Sequence, residues 1–164
     1  NGPITPESDA AVAAAALISE PTTLFLLAAD ACTAITDAVR TTPHEGDGPT
    51  VEEQLATAGT LGHPEVIAVA YGTGATVTGR VVMTYADPAA ARADLEPRGI
   101  LARAGTGIGR PLAEVQTVVD ARIEGSSIVL DLEPPAGEQA TKGFGRRLMS
   151  AVVARDMVYA ACTP

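Results

Sequence analysis

The sequence predicts an α+β fold: an antiparallel sheet of about four or five strands from two ββα units, helices packed on one face, and an N-terminal helical segment. Three observations carry that expectation. From Pro64 to Ala86 the chain reads as two strands joined at Gly72-Thr73-Gly74, and a helix start follows at Asp87-Pro88. From Val115 to Ala154 the same strand–strand–helix order returns. Everything before Pro64 carries helix signals instead. A chain of 164 residues is the size of one ordinary domain. Within 1–164, residues 5–62 are therefore assigned to the helical segment and 64–162 to the sheet region.

Thr5-Pro6-Glu7 is a helix start, with a cap, a proline at the first helical position and an acid in the first turn. The Ala-rich helix should stop near Ser19, because Pro21 disfavours helical geometry at Glu20. A second helix is expected from Thr22 or Thr23. Leu24, Ala28, Ala31, Ile35 and Val39 fall on one stripe, and helix length outweighs a strand at Leu24–Leu27. The two helices would form an αα-hairpin. Pro43 to Pro49 is turn chemistry. Thr50-Val51-Glu52-Glu53 then spells a capping box that opens a short helix ending at Gly59.

In the sheet region, Val66 to Tyr71 is apolar on both faces and reads as a central strand. Val77, Gly79, Val81, Met83 and Tyr85 alternate with Thr78, Arg80, Val82 and Thr84. Asp87 caps the next helix, which Pro97 should kink or divide. Gly105 to Gly109 ends it. Val115, Thr117, Val119, Ala121 and Ile123 then share a face, a turn falls at Gly125-Ser126, and Ile128, Leu130 and Leu132 follow. Asp131 and Glu133 point to the wet side. The last helix carries Phe144, Leu148, Ala151 and Val152. Gly143 and Gly145 weaken its front, so its secure part begins near Arg146. Met157 to Cys162 reads as a short final strand.

A formal net charge of −9 opposes nonspecific binding to nucleic acid or anionic lipid, since both require a positive surface. Trp is absent and aromatic residues are few, which disfavours a stacking platform. Lys142 is the one lysine among eleven basic residues, a coding bias associated with GC-rich bacterial genomes. The apolar stretches Ala10–Ile18 and Thr22–Ala29 each fall short of the roughly 20 residues that span a bilayer. The start at Asn1 rather than Met suggests that an upstream segment was removed.

Cys32 and Cys162, without CxxC spacing, predict one disulfide and an oxidising compartment. No catalytic site, metal site or cofactor is expected. His44, Glu45, Asp47 and His63 are metal-type ligands, but a catalytic zinc needs about three protein ligands and the chain has two histidines. Gly72-Thr73-Gly74 lacks the third glycine of a dinucleotide loop. Lys142-Gly143-Phe144-Gly145 matches half of an RNA-recognition signature, and Arg146 and Met149 then stand where aromatics belong. No serine lies in a Gly-x-Ser-x-Gly elbow, and Cys32, on a buried stripe, lacks a sequence-evident histidine partner. The basic cluster Lys142, Arg146 and Arg147 is the candidate contact for an anion or an acidic partner. The expectation that results is a non-catalytic extracytoplasmic binding or protein-interaction domain of a secreted or membrane-anchored bacterial protein. Its partner would be an unidentified protein or a small apolar ligand. The alternative is a small hydrolase using a carboxylate/His site.

Overall fold

In a computed structural model, residues 8–19, 21, 23–28, 30–41, 49–73, 77–107 and 110–163 are described. The first helix, α1 (Asp9–Ala16), is capped by Ser8, whose hydroxyl accepts the Ala11 N–H at 3.1 Å. The start expected at Thr5–Glu7 lies outside the described residues. Next comes β1 (Thr23–Leu27), where the stripe reading expected helix. β1 pairs antiparallel with β2 (Val66–Thr73), Thr23 opposite Tyr71 and Leu27 opposite Ile67. The strand prevails because Phe25 and Leu27 meet one core while Leu26 meets the other. A helix here would bury one stripe only and leave the edge of β2 unpaired. Helix resumes in α2 (Ala31–Thr41), so α1 and α2 are separated by a strand and form no αα-hairpin.

The capping box opens α3 (Val51–Ala58): the Thr50 N–H reaches Glu53 Oε2 at 2.8 Å, and Glu53 N–H reaches Thr50 Oγ1 at 3.3 Å. Gly59, at φ +84°, ends the helix in a conformation that favours glycine. β2 pairs with β3 (Val77–Thr84), then α4 (Pro88–Ala104) follows its Asp87 cap and runs through Pro97 without dividing. A two-residue ribbon, β4 (Thr106–Gly107) and β5 (Arg110–Pro111), leads to the hairpin of β6 (Thr117–Glu124) and β7 (Ser127–Glu133). The final helix, α5 (Glu138–Ala154), begins two turns ahead of Arg146.

The main sheet is antiparallel, with order β1-β2-β3-β7-β6, so the second strands of the two hairpins meet at its centre. One face carries Ile67, Val69, Val81, Met83, Ile128, Leu130 and Leu132 under α2, α4 and α5. On the opposite face, Val66, Ala68, Val82 and Val129 receive Ala11 and Ala14 of α1. Helices on one face thus describes α2, α4 and α5, while the small α1 covers part of the side expected to be wet. Alanines on both partners let that helix lie close.

Met157–Cys162 is no strand. It is a 3-10 turn at Val158–Ala160 with extended flanks, buried throughout. Its own turn bonds and side chains, rather than a neighbouring strand, pair its backbone groups. The Arg98 guanidinium donates to the carbonyl oxygens of Tyr159 (2.8 Å) and Ala161. Thr36 Oγ1 accepts the Cys162 N–H at 2.9 Å. With those groups paired, the segment needs no ladder.

Candidate functional site

A groove of about 460 Å³ lies on the α1 side of the sheet. Ile18 and Pro21 line it from the α1–β1 connection, Arg80 from β3, Val119 from β6, and Asp131 and Glu133 from β7. Register places the charges. Arg80 and Asp131 are direct cross-strand partners, and Asp120 faces Asp131 from the other side. Arg80 Nε donates to Asp131 Oδ1, and its Nη1 donates to the Leu17 carbonyl at 2.8 Å. Arg122 Nη1 donates to Asp131 Oδ2 and to Asp120 Oδ2 (2.8 Å), and its Nε to Glu124 Oε1 (2.7 Å). One carboxylate therefore holds two guanidiniums.

Partial burial works to raise the Asp131 pKa, but the bonds from Arg80 and Arg122 outweigh it and hold the carboxyl below its usual range. An acid held ionised in this way is a poor general acid. Part of the groove's apolar wall comes from a β-bulge. The register shift between Val118 and Asp120 turns Val119 outward, leaving it 51% exposed, while Val118, Ala121 and Ile123 pack on the helix side. Val119 was expected on the buried face; the inserted residue reverses its phase.

A second cluster surrounds the disulfide. Cys32 of α2 and Cys162 are joined, with Cα atoms 5.3 Å apart. His63, in the connection before Pro64, brings Nδ1 to 3.6 Å from Cys32 Sγ. Its Nε2 donates to the Thr163 carbonyl at 3.0 Å. Thr33 Oγ1 lies 3.6 Å from Cys162 Sγ. The histidine that Cys32 lacked in sequence is thus present in space, but Cys32 is fully buried and oxidised. His44, Glu45 and Asp47 lie outside the described residues.

Beneath this cluster is a buried ionic network. Arg98, 0% exposed, donates from Nε to Asp94 Oδ2 (3.0 Å) and from Nη2 to the Gly62 carbonyl (2.8 Å). Tyr85 Oη donates to Asp94 Oδ2 at 2.6 Å, and the Gly62 N–H reaches Asp94 Oδ1 at 2.8 Å. Burial pushes the Tyr85 phenol well above its ordinary range, against the opposing charge of Arg98. These residues hold α4, the Leu61–His63 connection and the C-terminal segment together. The sequence carried a signal for them. Asp94 and Arg98 fall between Ala91 and Leu101 on the apolar stripe of α4, where a charge has to be paired.

The remaining sequence candidates separate. Lys142 and Arg146 are exposed one turn apart on α5, whereas Arg147 folds its guanidinium over Gly143. Phe144 is buried and unavailable for base stacking. Glu52 pairs with Arg40 at 2.7 Å and Glu53 belongs to the capping box. Among the described residues, no helix is long and apolar enough to cross a membrane. Comparison of the chain with protein-family models, curated proteins and solved structures returned no match.

Proposed function

We propose that this chain is a non-catalytic binding domain working outside the bacterial cytoplasm, and that the groove beside the Arg80–Asp131–Arg122 ladder seats a small ligand. The groove itself carries the reading. Its volume falls within the range of roughly 300–1,000 Å³ common for ligand sites. The Cys32–Cys162 disulfide supports an oxidising compartment.

Charge and lining suggest the ligand class. Arg80 is committed to Asp131 and the Leu17 carbonyl, whereas Glu133 is exposed and makes no ion pair among the described residues. Ile18, Pro21 and Val119 supply apolar wall. A ligand with an apolar body and a cationic end fits this lining, with its positive group near Glu133.

Amide NMR titration with hexylamine, hexanol and hexanoate tests the reading. Hexylamine should move the Val119, Arg80 and Glu133 signals at millimolar concentration, hexanol less and hexanoate least. Val119→Trp, which fills the groove from an exposed position, should abolish the shifts. No shifts at these residues, or shifts indifferent to head-group charge and to Val119→Trp, would overturn it.

A further inference from the structure

The three residues Cys32, His63 and Cys162 have a geometry that the disulfide alone does not require. Their ligand atoms all lie within 4.8 Å of one another. We propose that Cys32, Cys162 and His63 form a two-thiolate, one-imidazole site for a zinc-like divalent ion when the disulfide is reduced, with the fourth position open to water.

Four observations support this. First, the histidine distance suits a metal. With zinc–sulfur and zinc–nitrogen bonds of about 2.3 and 2.0–2.1 Å, the S···N edge of a tetrahedron is about 3.5 Å. Cys32 Sγ and His63 Nδ1 are 3.6 Å apart. Second, the tautomer is set. The Thr163 carbonyl can only accept, so Nε2 carries the proton and Nδ1 presents its lone pair toward the sulfurs. A ring N–H donated to a backbone carbonyl is the usual support of a ligating histidine.

Third, the S–S bond is not alone in holding the arrangement. Thr36 Oγ1 accepts the Cys162 N–H at 2.9 Å and sits 2.8 and 2.9 Å from the carbonyl oxygens of Cys162 and Cys32. Arg98 grips Ala161, the neighbour of Cys162. These contacts would keep both backbones in place when the disulfide opens and the two sulfurs separate. Fourth, the charge balances. Two thiolates and one divalent ion are neutral together, which suits cysteines that are 0% and 4% exposed. Exposed His63 gives the ion its approach.

The steps close chemically. A dithiol reductant passes two electrons and two protons to the Cys32 and Cys162 sulfurs and becomes a disulfide itself. The divalent ion then replaces the two thiol protons, which go to solvent. The site is separate from the groove, so its failure would leave the ligand proposal standing.

Cobalt(II) reports the site directly. Protein reduced with a trialkylphosphine, desalted without oxygen and titrated with cobalt(II), should bind one equivalent. Thiolate-to-cobalt charge-transfer absorption and strong tetrahedral visible bands should appear, and zinc(II) should displace them. His63→Ala should weaken cobalt binding at least about tenfold and dim the visible bands, since losing a ligand costs no less than losing its outer-shell support. The Cys32→Ser/Cys162→Ser protein and the oxidised protein should give no charge-transfer band. Circular dichroism follows folding throughout. A reduced protein that is folded but binds no cobalt would overturn the proposal, as would His63→Ala binding equal to wild type. A reduced protein that unfolds and is not restored by the metal would overturn it equally.

Discussion

Arg98 occupies a position on α4 where an apolar side chain would ordinarily pack, and three chain segments meet at it. It meets Asp94 on its own helix and the carbonyls of Gly62, Tyr159 and Ala161 elsewhere. Arg98→Ala leaves a buried carboxylate unpaired and three carbonyls without a donor. Losing one partner of a buried pair costs about 3–5 kcal/mol. We expect urea unfolding of Arg98→Ala to show a loss in that range; a loss under about 1 kcal/mol would mean that water replaces the guanidinium. Asp131 gives the contrasting case of a half-exposed ion pair. Its carboxyl pKa is lower in the folded protein than in the unfolded chain, where it lies near 3.9. Its contribution is therefore complete above about pH 5 and is lost as pH falls through the lowered native value. Asp131→Asn should destabilise by about 1 kcal/mol at pH 7, after allowance for solvent screening, and by less at about pH 3, below the unfolded-chain value. An equal difference at both pH values would separate the effect from ionisation.

Elements with strong local chemistry were legible; those decided by distant partners were not. Thr50–Glu53, Asp87-Pro88 and the β6–β7 turn at Gly125-Ser126 announce their structures in four residues or fewer, and each is found where its residues point. β1 is different. Its helical stripe owes two of its five members to alanine, which marks no face, and only the edge of β2 decides the matter. The disulfide was readable from cysteine count, whereas His63 joins it across 31 residues of chain and left no local trace. Likewise Arg80 and Asp131 are 51 residues apart, and their meeting depends on β3–β7 pairing. α5 shows why glycine misled. Gly145 lowers helix propensity, but a Cβ there would come within 2.6 Å of the Tyr71 ring. Helix propensity alone would favour Gly145→Ala by about 1 kcal/mol, and overpacking costs about 1–3 kcal/mol. Gly145→Ala should therefore destabilise the wild-type background and stabilise a Tyr71→Ala background. The same sign in both, measured by urea midpoints, would show that the close approach relaxes freely.

At the scale of the molecule, the C-terminal segment is tied to the body of the fold through two kinds of constraint. The native strap, Met157 to Thr163, is held by Arg98, Thr36 and the Leu61–Thr163 bonds as well as by the disulfide. The disulfide spans 130 residues, so its main effect falls on the unfolded chain, which it deprives of loop freedom. For a loop that long the chain-entropy estimate is about 5 kcal/mol. The two constraints act on different states, which makes them separable. Cys32→Ala/Cys162→Ala should lower unfolding free energy by up to about 5 kcal/mol and raise the urea m-value, because the released unfolded chain exposes more surface. The native amide spectrum around Val158 to Ala161 should change only near the substituted residues. Arg98→Ala should do the reverse, leaving the m-value steady while shifting those amides. If the double cysteine variant instead loses the strap signals with little change in m-value, the disulfide holds the native segment directly, and the hydrogen bonds from Arg98 and Thr36 follow from it rather than standing on their own.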